Sequence, residues 1–354
     1  MKKQYLLIVL LVMLSLNTAV SQVIAQEPIS LSISQMIALA VSSNLDYKKV
    51  NYQLENAQLE DQQLQANNLL SASTLSTLQK EITLLQQQDQ FKANKDQLFI
   101  KVVDQYFELV LSQKNIASKK RSSELEKIVL DQTEQQVAGG YSVDLALLQQ
   151  GNEYYDALFA FQESELDYQQ FLIEVKDTLG IDHGRELELQ KMDIPDFPDI
   201  DLAVALEKTS KNSLSFESQS RQVELAEKTL AKAQAQDTPK IEILKLKNDL
   251  GIARLEQSLA QQDLDYQVET QWLAFNQAKN DIISAQKSLQ QMQENETIIQ
   301  QQVEAGLRNN EEALSASIGT LDAQVRLITS VRQAYQAYLE LQSLMGNLDK
   351  GVLL

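Results

Sequence analysis

The chain has 354 residues, a formal net charge of −18 and no cysteine. Its hydrophobic share of 44% and charged share of 23% are typical of an ordered protein rather than a disordered one. The negative charge excludes nucleic acid as a partner, because phosphate backbones would be repelled. The absence of cysteine excludes disulfides and thiolate metal sites.

The N-terminus predicts a secretory signal peptide. Lys2 and Lys3 form a basic start, residues 5–16 are apolar, and Val23-Ile24-Ala25 fits a small-residue cleavage rule. The alternative is an uncleaved anchor, but the apolar run is shorter than the roughly 20 residues that a spanning helix needs. We therefore expect cleavage after Ala25 and a mature protein outside the cytoplasm.

Two helices are predicted next. Apolar spacing from Ile33 indicates a short helix with Ser32 or Ser34 as its N-cap, and the helix breaks near Asn44. A second helix then runs from about residue 45 to 66.

The stretch 98–180 predicts a long antiparallel helical hairpin. A descending helical run ends at Gly139 and Gly140, whose backbone freedom allows the chain to reverse. Steps of three and four residues place the apolar side chains of the returning run on one stripe, which favours coiled-coil packing. These side chains are Leu145, Leu148, Tyr155, Leu158, Phe159, Leu166, Leu172, Val175 and Leu179.

Two polar segments allow a functional and a plain interpretation. Residues 112–123 interrupt the descending helix with a basic stretch, which is either a contact surface in an acidic protein or an ordinary solvated helix face. The stretch 180–201 joins the hairpin to the rest of the chain and contains His183, the single histidine, which we expect to be inert.

The hairpin occurs twice. The turn at Gly140 is repeated at Gly306, and the helix end at Gly180 is repeated at Gly346, each 166 residues later. An offset this constant indicates an internal duplication.

The second copy has a very short connection before its descending helix. Thr238 is predicted to cap a helix that begins at Pro239 and continues to about Ile299. Gly251 lies within this helix, where we expect close packing or a bend.

These patterns predict an all-α fold of two repeated long antiparallel helical hairpins with little or no β-structure. The predicted segments are a signal peptide (1–25), helical repeat 1 (26–180), an inter-repeat linker (181–200), helical repeat 2 (201–346) and a C-terminal tail (347–354). We find no nucleophile–base pair, metal-ligand cluster or phosphate-binding glycine loop, so we expect neither catalysis nor a cofactor.

The ordered set of segments resembles the outer-membrane efflux protein family typified by TolC. The resemblance covers essentially the whole mature chain, and it rests on the signal peptide, the duplication and four stretches. These stretches are SLSISQMIALAVSSNLDYKKVNYQLENAQL, YFELVLSQKNI, QQVAGGYSVDLALLQQ and LDYQQFLIEVKDTLG.

The resemblance implies a homotrimer whose helices form a tapered α-barrel conduit in the cell envelope. It also implies that the glycine turns are tips that meet a periplasmic adaptor (membrane fusion protein) or an inner-membrane transporter. Carried over by position, the tip residues are Gly139, Gly140, Tyr141, Ser142, Val143 and Asp144 in repeat 1, and Gly306, Leu307, Arg308, Asn309 and Asn310 in repeat 2.

The resemblance also implies acidic gating rings, for which Glu311 and Glu312 are the candidates. Family members commonly carry an aspartate six positions after the turn glycine; here Glu312 follows Gly306 by six, whereas Ala146 follows Gly140. The alternative is that these carboxylates, and Asp144, only stabilise helix N-termini.

The chain departs from the family where membrane-spanning strands are expected. A spanning strand needs roughly 9–11 residues, and the connection around Asp237-Thr238-Pro239 has no room for one. We therefore expect a TolC-like helical body without the β-barrel, and only indirect membrane association unless a barrel is present. Two functions follow as alternatives: a component of an export conduit, or a coiled-coil scaffold of the cell envelope. The resemblance places the protein in the periplasm or outer membrane; in a host with a single membrane it would lie outside that membrane.

Overall fold

A computed structural model describes residues 29–68, 74–191 and 194–348. The predicted signal peptide and most of the predicted tail lie outside these residues. The elements in chain order are β1 (Ile29–Leu31), α1 (Ile33–Ser43), α2 (Leu45–Asn68), α3 (Thr74–Ala138), α4 (Asp144–Leu179), β2 (Leu187–Leu189), α5 (Leu202–Asn212), α6 (Leu214–Ala235), α7 (Lys240–Glu304) and α8 (Asn310–Leu344).

The predicted all-α hairpin fold is confirmed. The helices α3 and α7 are each 65 residues long, or about 98 Å at 1.5 Å per residue. Each packs along its returning helix, α4 or α8, and the two hairpins meet where α3 packs against α8. In the described residues the only strands are β1 and β2, which pair in parallel with Ile29 opposite Leu187.

The helix starts follow local capping chemistry, with one correction. Ser32 caps α1 as predicted, in a reciprocal capping box with Gln35. The predicted cap by Thr238 is wrong, because α7 begins one residue later and Pro239 stands at its N-cap without a side-chain bond. The reason is that Asp237 reverses the chain with a φ of 51°, so Thr238 still belongs to the turn and donates its N–H to the Ala233 carbonyl at 3.4 Å.

The two halves end alike, as the duplication predicts. Gly180 ends α4 with a φ of 66°, and Gly346 follows α8 with a φ of 72°. A Cβ on Gly180 would lie 2.4 Å from the Cβ of Ser43, and one on Gly346 would lie 2.7 Å from the Cβ of Asn212. Each returning helix therefore closes against the end of its own repeat's first short helix.

The core lies where the short helices and the joining segment cross the long hairpins. Phe197 from the segment after β2 inserts among Phe275, Tyr335 and Tyr338, with ring centroids 5.2–5.7 Å apart. The joining segment is thus part of the core as well as a link. His183 lies on the surface, where its Nε2 is 2.7 Å from the Asp177 carboxylate.

Away from this core the long helices carry little buried surface. A Cβ on Gly251 would meet no atom within 4 Å, so the predicted close packing there is wrong, and α7 continues through it as one helix. Among the described helices, none has the length and apolar character required to cross a membrane.

Candidate functional site: hairpin tips and lateral faces

The first tip is a tight glycine turn with exposed apolar side chains. Gly140 has a φ of 75°, and the N–H groups of Gly140 and Tyr141 donate to the carbonyls of Val137 and Gln136 at 3.0 and 2.8 Å. These bonds satisfy carbonyls that the end of α3 leaves open. The Tyr141 side chain is 87% exposed, and its ring lies over Gly139, where a Cβ would come within 2.8 Å of it.

The second tip repeats this turn with different side chains. Gly306 has a φ of 69°, and the N–H groups of Gly306 and Leu307 donate to the carbonyls of Val303 and Gln302 at 2.9 and 2.8 Å. Leu307 is 76% exposed. Both turns place a large apolar side chain directly after the left-handed glycine, so each tip exposes one such side chain to solvent.

The returning helices begin differently at the two tips. Asn309 caps α8 in a reciprocal capping box, with its Oδ1 accepting from the Glu312 N–H at 3.0 Å. Arg308 adds an ion pair to Glu312 at 2.6 Å and donates to Gln302 at 2.6 Å. The α4 start has Val143 at the N-cap and no side-chain cap bond.

The candidate gate acids are both engaged within the protomer. Glu312 uses one carboxylate oxygen for Arg308 and the other for the Asn309 N–H. Glu311 accepts from the Gln132 side chain, which connects the start of α8 to α3. The capping alternative therefore accounts for Glu312 locally, and the acidic gate stays a prediction.

A row of polar bonds joins the two hairpins along α3 and α8. Sequence reasoning missed this row, since helical periodicity does not reveal which helix lies opposite. Arg332 donates to Asp104 at 2.6 and 3.0 Å and also binds Glu108. The other bonds are Gln336–Asp104, Asp96–Ser343, Ser118–Asp322 and Gln132–Glu311.

Asp96 is the most buried carboxylate in this row. It is 2% exposed, and its Oδ1 accepts no hydrogen bond, although the Lys95 ammonium lies 3.6 Å away. Burial raises the pKa of Asp96, while the Ser343 hydroxyl and nearby lysines favour the ionised form.

The apolar stripe predicted on α4 is mostly uncovered. Val175 and Leu179 are fully buried, Leu158 and Leu172 are half-buried, and the other members of the stripe are open to solvent. The exposed members are Leu145, Leu148, Tyr155, Phe159 and Leu166. Of the predicted stripe, the final turns pack most fully inside the chain.

A second uncovered apolar stripe runs along the first half of α7. Its side chains recur at helical spacing and are 53–81% exposed. They are Ile241, Leu244, Ile252, Leu255, Leu259, Tyr266 and Leu273. On α2, Leu45, Tyr52 and Leu59 are exposed seven residues apart. A soluble monomer rarely leaves apolar surface this long and continuous in water.

The described residues hold no group of three or more His, Cys, Asp or Glu side chains that could bind a metal ion. At the second tip, Asn309, Glu311 and Glu312 bond to the start of the helix or to the other hairpin. The geometry of the tips and faces is therefore suited to contact with other protein surfaces.

Comparisons with known proteins give a match of fold. No protein family and no curated protein matches the chain by sequence. Among solved structures, the CmeC outer membrane channel of Campylobacter jejuni superposes with a TM-score of 0.65 and 12% identity, covering 90% of this chain and 87% of that one. The MtrE outer membrane channel of Neisseria gonorrhoeae gives 0.62 and 11%, covering 90% of each chain.

A third match has the same extent. The outer membrane protein VceC of Vibrio cholerae gives a TM-score of 0.60 and 11% identity, covering 89% of this chain and 96% of that one. These identities are too low to transfer an activity, but the superpositions extend over nearly the whole of each chain. The chain therefore has the fold of the TolC-like outer-membrane channels, built here from two helical hairpins.

Proposed function

We propose that this protein is a component of an export or efflux assembly in the cell envelope. Three copies associate side by side, and their long helices line a conduit outside the cytoplasm. The observation that carries the proposal is the uncovered apolar stripe on α4 together with the second one on α7. The shared fold with outer-membrane channels supports the same conclusion.

The exposed stripes are sufficient to drive association. Fully burying one leucine- or phenylalanine-sized side chain contributes about 1.5–3 kcal/mol. Joining two protein surfaces costs about 4–15 kcal/mol in lost freedom and ordering. Five side chains of the α4 stripe and seven of the α7 stripe are exposed, so their burial between copies can offset a cost of this size.

The two stripes indicate a contact between different faces of neighbouring copies. The α4 stripe extends from the tip towards the core, whereas the α7 stripe begins at the opposite end of the rod. Because the two faces differ, the contact between copies would be heterologous, and such a contact forms a ring when the rotation between copies closes. The number three comes from the family resemblance.

In this assembly the glycine tips dock a periplasmic adaptor or an inner-membrane transporter. Tyr141 and Leu307 are the exposed anchors, and aromatic and large apolar side chains commonly carry such contacts. CmeC and MtrE are described as outer membrane channels, and we propose an envelope location for this chain on that basis.

The association is tested by measuring the mass of the chain lacking residues 1–25 in solution. We expect a trimer for the native sequence and a monomer for the double variant Leu148→Lys and Phe159→Lys, which places charge on the stripe. The matched control, Gln149→Lys and Gln162→Lys, adds the same charge to the same helix at exposed polar positions. A native chain that remains monomeric at all concentrations would overturn the proposal.

Docking is tested separately by export in cells. The variants Tyr141→Ser and Leu307→Ser should leave the trimer and the melting temperature unchanged while lowering export. If the variants leave export unchanged in a strain whose only copy of the protein is the variant, the result would favour the scaffold alternative.

A further inference from the structure

The apolar stripes on α7 and α4 lie at different levels along the rod. The α7 stripe ends at Leu273, 31 residues before Glu304, and so stops about 46 Å from the tip at 1.5 Å per residue. The α4 stripe ends at Leu166, 22 residues after Asp144, and so stops about 33 Å from the tip. Copies that stand side by side at the same height therefore cannot cover one stripe with the other.

The helices α2 and α7 form the two edges of the far half of the rod, the half that ends at the turn at residues 236–239. Among the described residues, α2 packs along α3, α3 along α6, and α6 along α7. This order sets α2 and α7 three steps apart, at roughly 8–10 Å per step, so neither can cover the other within one chain. A neighbouring copy can bring the two edges together.

Contacts within the chain set the level of α2 against α7. The rings of Tyr47 on α2 and Phe91 on α3 lie 5.8 Å apart. Since α2 and α3 are antiparallel, Tyr52 lies level with Gln86. Gln86 and Ala253 of α7 line the same groove between α3, α6 and α7. Tyr52 is thus level with the part of α7 near Ala253.

A second set of contacts gives a neighbouring level. Arg221 of α6 lies 3.9 Å from Glu81 of α3, and Gln257 of α7 donates to Ser220 of α6 at 2.9 Å. Positions 81 and 257 are therefore level, and since α3 and α7 run in the same direction, position 86 is level with position 262. The two routes together place the middle of α2 level with residues 253–262 of α7.

The exposed apolar side chains on these two edges repeat at the same interval. Each edge has three of them, seven residues apart and 53–79% exposed, which is the repeat of two helices packed along a common seam. They are Leu45, Tyr52 and Leu59 on α2, and Ile252, Leu259 and Tyr266 on α7. Because α2 and α7 run in opposite directions, pairing Tyr52 with Leu259 brings the outer members of both rows together as well.

The charges beside the two rows are also complementary. Nearer the core, residues 46–49 of α2 carry two lysines and one acid, and residues 263–269 of α7 carry three acids and no base. Nearer the far end, residues 55–61 carry three acids and no base, and residues 240–247 carry three lysines and one acid. Opposite net charges therefore meet at both ends of an antiparallel seam, which favours this partner and this direction.

We propose that α2 of one copy packs along the far half of α7 in the next copy, antiparallel to it and with Tyr52 against Leu259. The inference rests on the proposed side-by-side association and identifies the surface that covers the α7 stripe. The α4 stripe then faces the tip half of α7, where Ile283 and Ile298 are exposed. Two contacts, one in each half of the rod, would thus join the same pair of copies.

The test is disulfide cross-linking, because the native chain contains no cysteine. One chain lacking residues 1–25 carries Tyr52→Cys, a second carries Leu259→Cys, and the two are co-expressed with tags of different length. We expect mild oxidation to join them into a covalent heterodimer, since a disulfide needs Cα atoms no more than about 7 Å apart. Neither variant expressed alone should form covalent dimers.

The matched control replaces Leu259→Cys with Leu273→Cys, an exposed member of the same stripe about 21 Å nearer the tip. This variant should not cross-link to Tyr52→Cys. Phe159→Cys with Leu259→Cys tests an opposed pair of copies in which α4 covers the α7 stripe. Cross-linking of that pair, or equal yields from the Leu273 and Leu259 variants, would overturn the inference, while a native trimer would still support the proposed association. A native chain that stays monomeric would overturn both.

A second measurement tests the charges without cysteines. Lys48→Glu with Lys49→Glu should raise the concentration at which the assembly half-dissociates by about tenfold. Asp263→Lys with Glu269→Lys should weaken association in the same way, and the two pairs combined should restore it, because the reversed charges again face each other. Weakening by the α2 pair that the α7 pair does not relieve would overturn this seam.

Discussion

The two hairpins are alike at their bases and unlike at their tips. At the bases, Gly180 and Gly346 have nearly equal φ angles and lie against Ser43 and Asn212 in the same arrangement. At the tips, the α8 start is fastened by Asn309, Glu312 and Arg308, whereas the α4 start has no side-chain cap.

This difference shows which glycines are fixed by packing within the chain and which side chains lie on a surface that can vary. A base glycine is required by a neighbouring helix of the same chain, so both repeats retain it. The side chains after a tip glycine contact solvent and residues of the same tip rather than a neighbouring helix end, so the repeats are free to differ there. The second tip adds side-chain bonds to its glycine turn, whereas the first returning helix begins without a side-chain cap.

The largest effect is expected at the base glycines. Gly180→Ala and Gly346→Ala should each destabilise the protein by about 2–4 kcal/mol, since a left-handed alanine costs about 1–2 kcal/mol and the new Cβ overlaps a neighbour. Thermal and urea unfolding measure this loss.

The tip glycines provide matched controls for the base glycines. Gly140 and Gly306 have φ angles of 75° and 69°, but a Cβ there would meet no atom within 4 Å. Alanine at either tip should therefore cost only the conformational part, about 1–2 kcal/mol. Equal losses at bases and tips would show that the close approach to Ser43 and Asn212 contributes nothing.

The next largest effect is expected at the ion pairs of Arg332, which join the two hairpins. Arg332→Gln should destabilise the protein by about 1.5–3 kcal/mol, because Asp104 and Glu108 lose a charged partner in a half-buried site. Arg326→Gln is the matched control on α8, since the Arg326 side chain has no partner among the described residues. If the two variants unfold at the same urea concentration, the row of polar bonds does not join the hairpins.

A smaller effect should distinguish the two tips directly. Asn309→Ala removes a cap and should cost about 1 kcal/mol, seen as faster hydrogen exchange in the first turn of α8. Val143→Asn introduces a cap, which should stabilise the first turn of α4 by about 1 kcal/mol and slow its hydrogen exchange. If the Val143→Asn variant shows the same hydrogen exchange in the first turn of α4 as the native chain, the first tip is already ordered by other contacts.

The sequence predicted those features that depend on local chemistry. The α7 helix was predicted from Pro239 to about Ile299 and runs from Lys240 to Glu304. The turn glycines and the Ser32 cap follow from residue type and spacing, because each needs only neighbours a few positions away in the chain.

Features that depend on distant partners could not be predicted. The apolar spacing of α4 is the same at Leu148, which is exposed, and at Val175, which is buried. Spacing identifies a stripe but not the helix that covers it. The Phe197 contact with Phe275 and the bonds of Arg332 likewise arise from packing of segments far apart in the chain.

The smallest effect is expected at two interior glycines with open surroundings, one in each hairpin. Gly151 in α4 and Gly251 in α7 are helical, and a Cβ at either would meet no atom within 4 Å. Alanine should therefore stabilise each helix by about 0.5–1 kcal/mol through its higher propensity. If the trimer buries the neighbourhood of either glycine, the added methyl group would weaken association instead. Measuring unfolding and mass for the two variants together thus separates helix propensity from packing between copies.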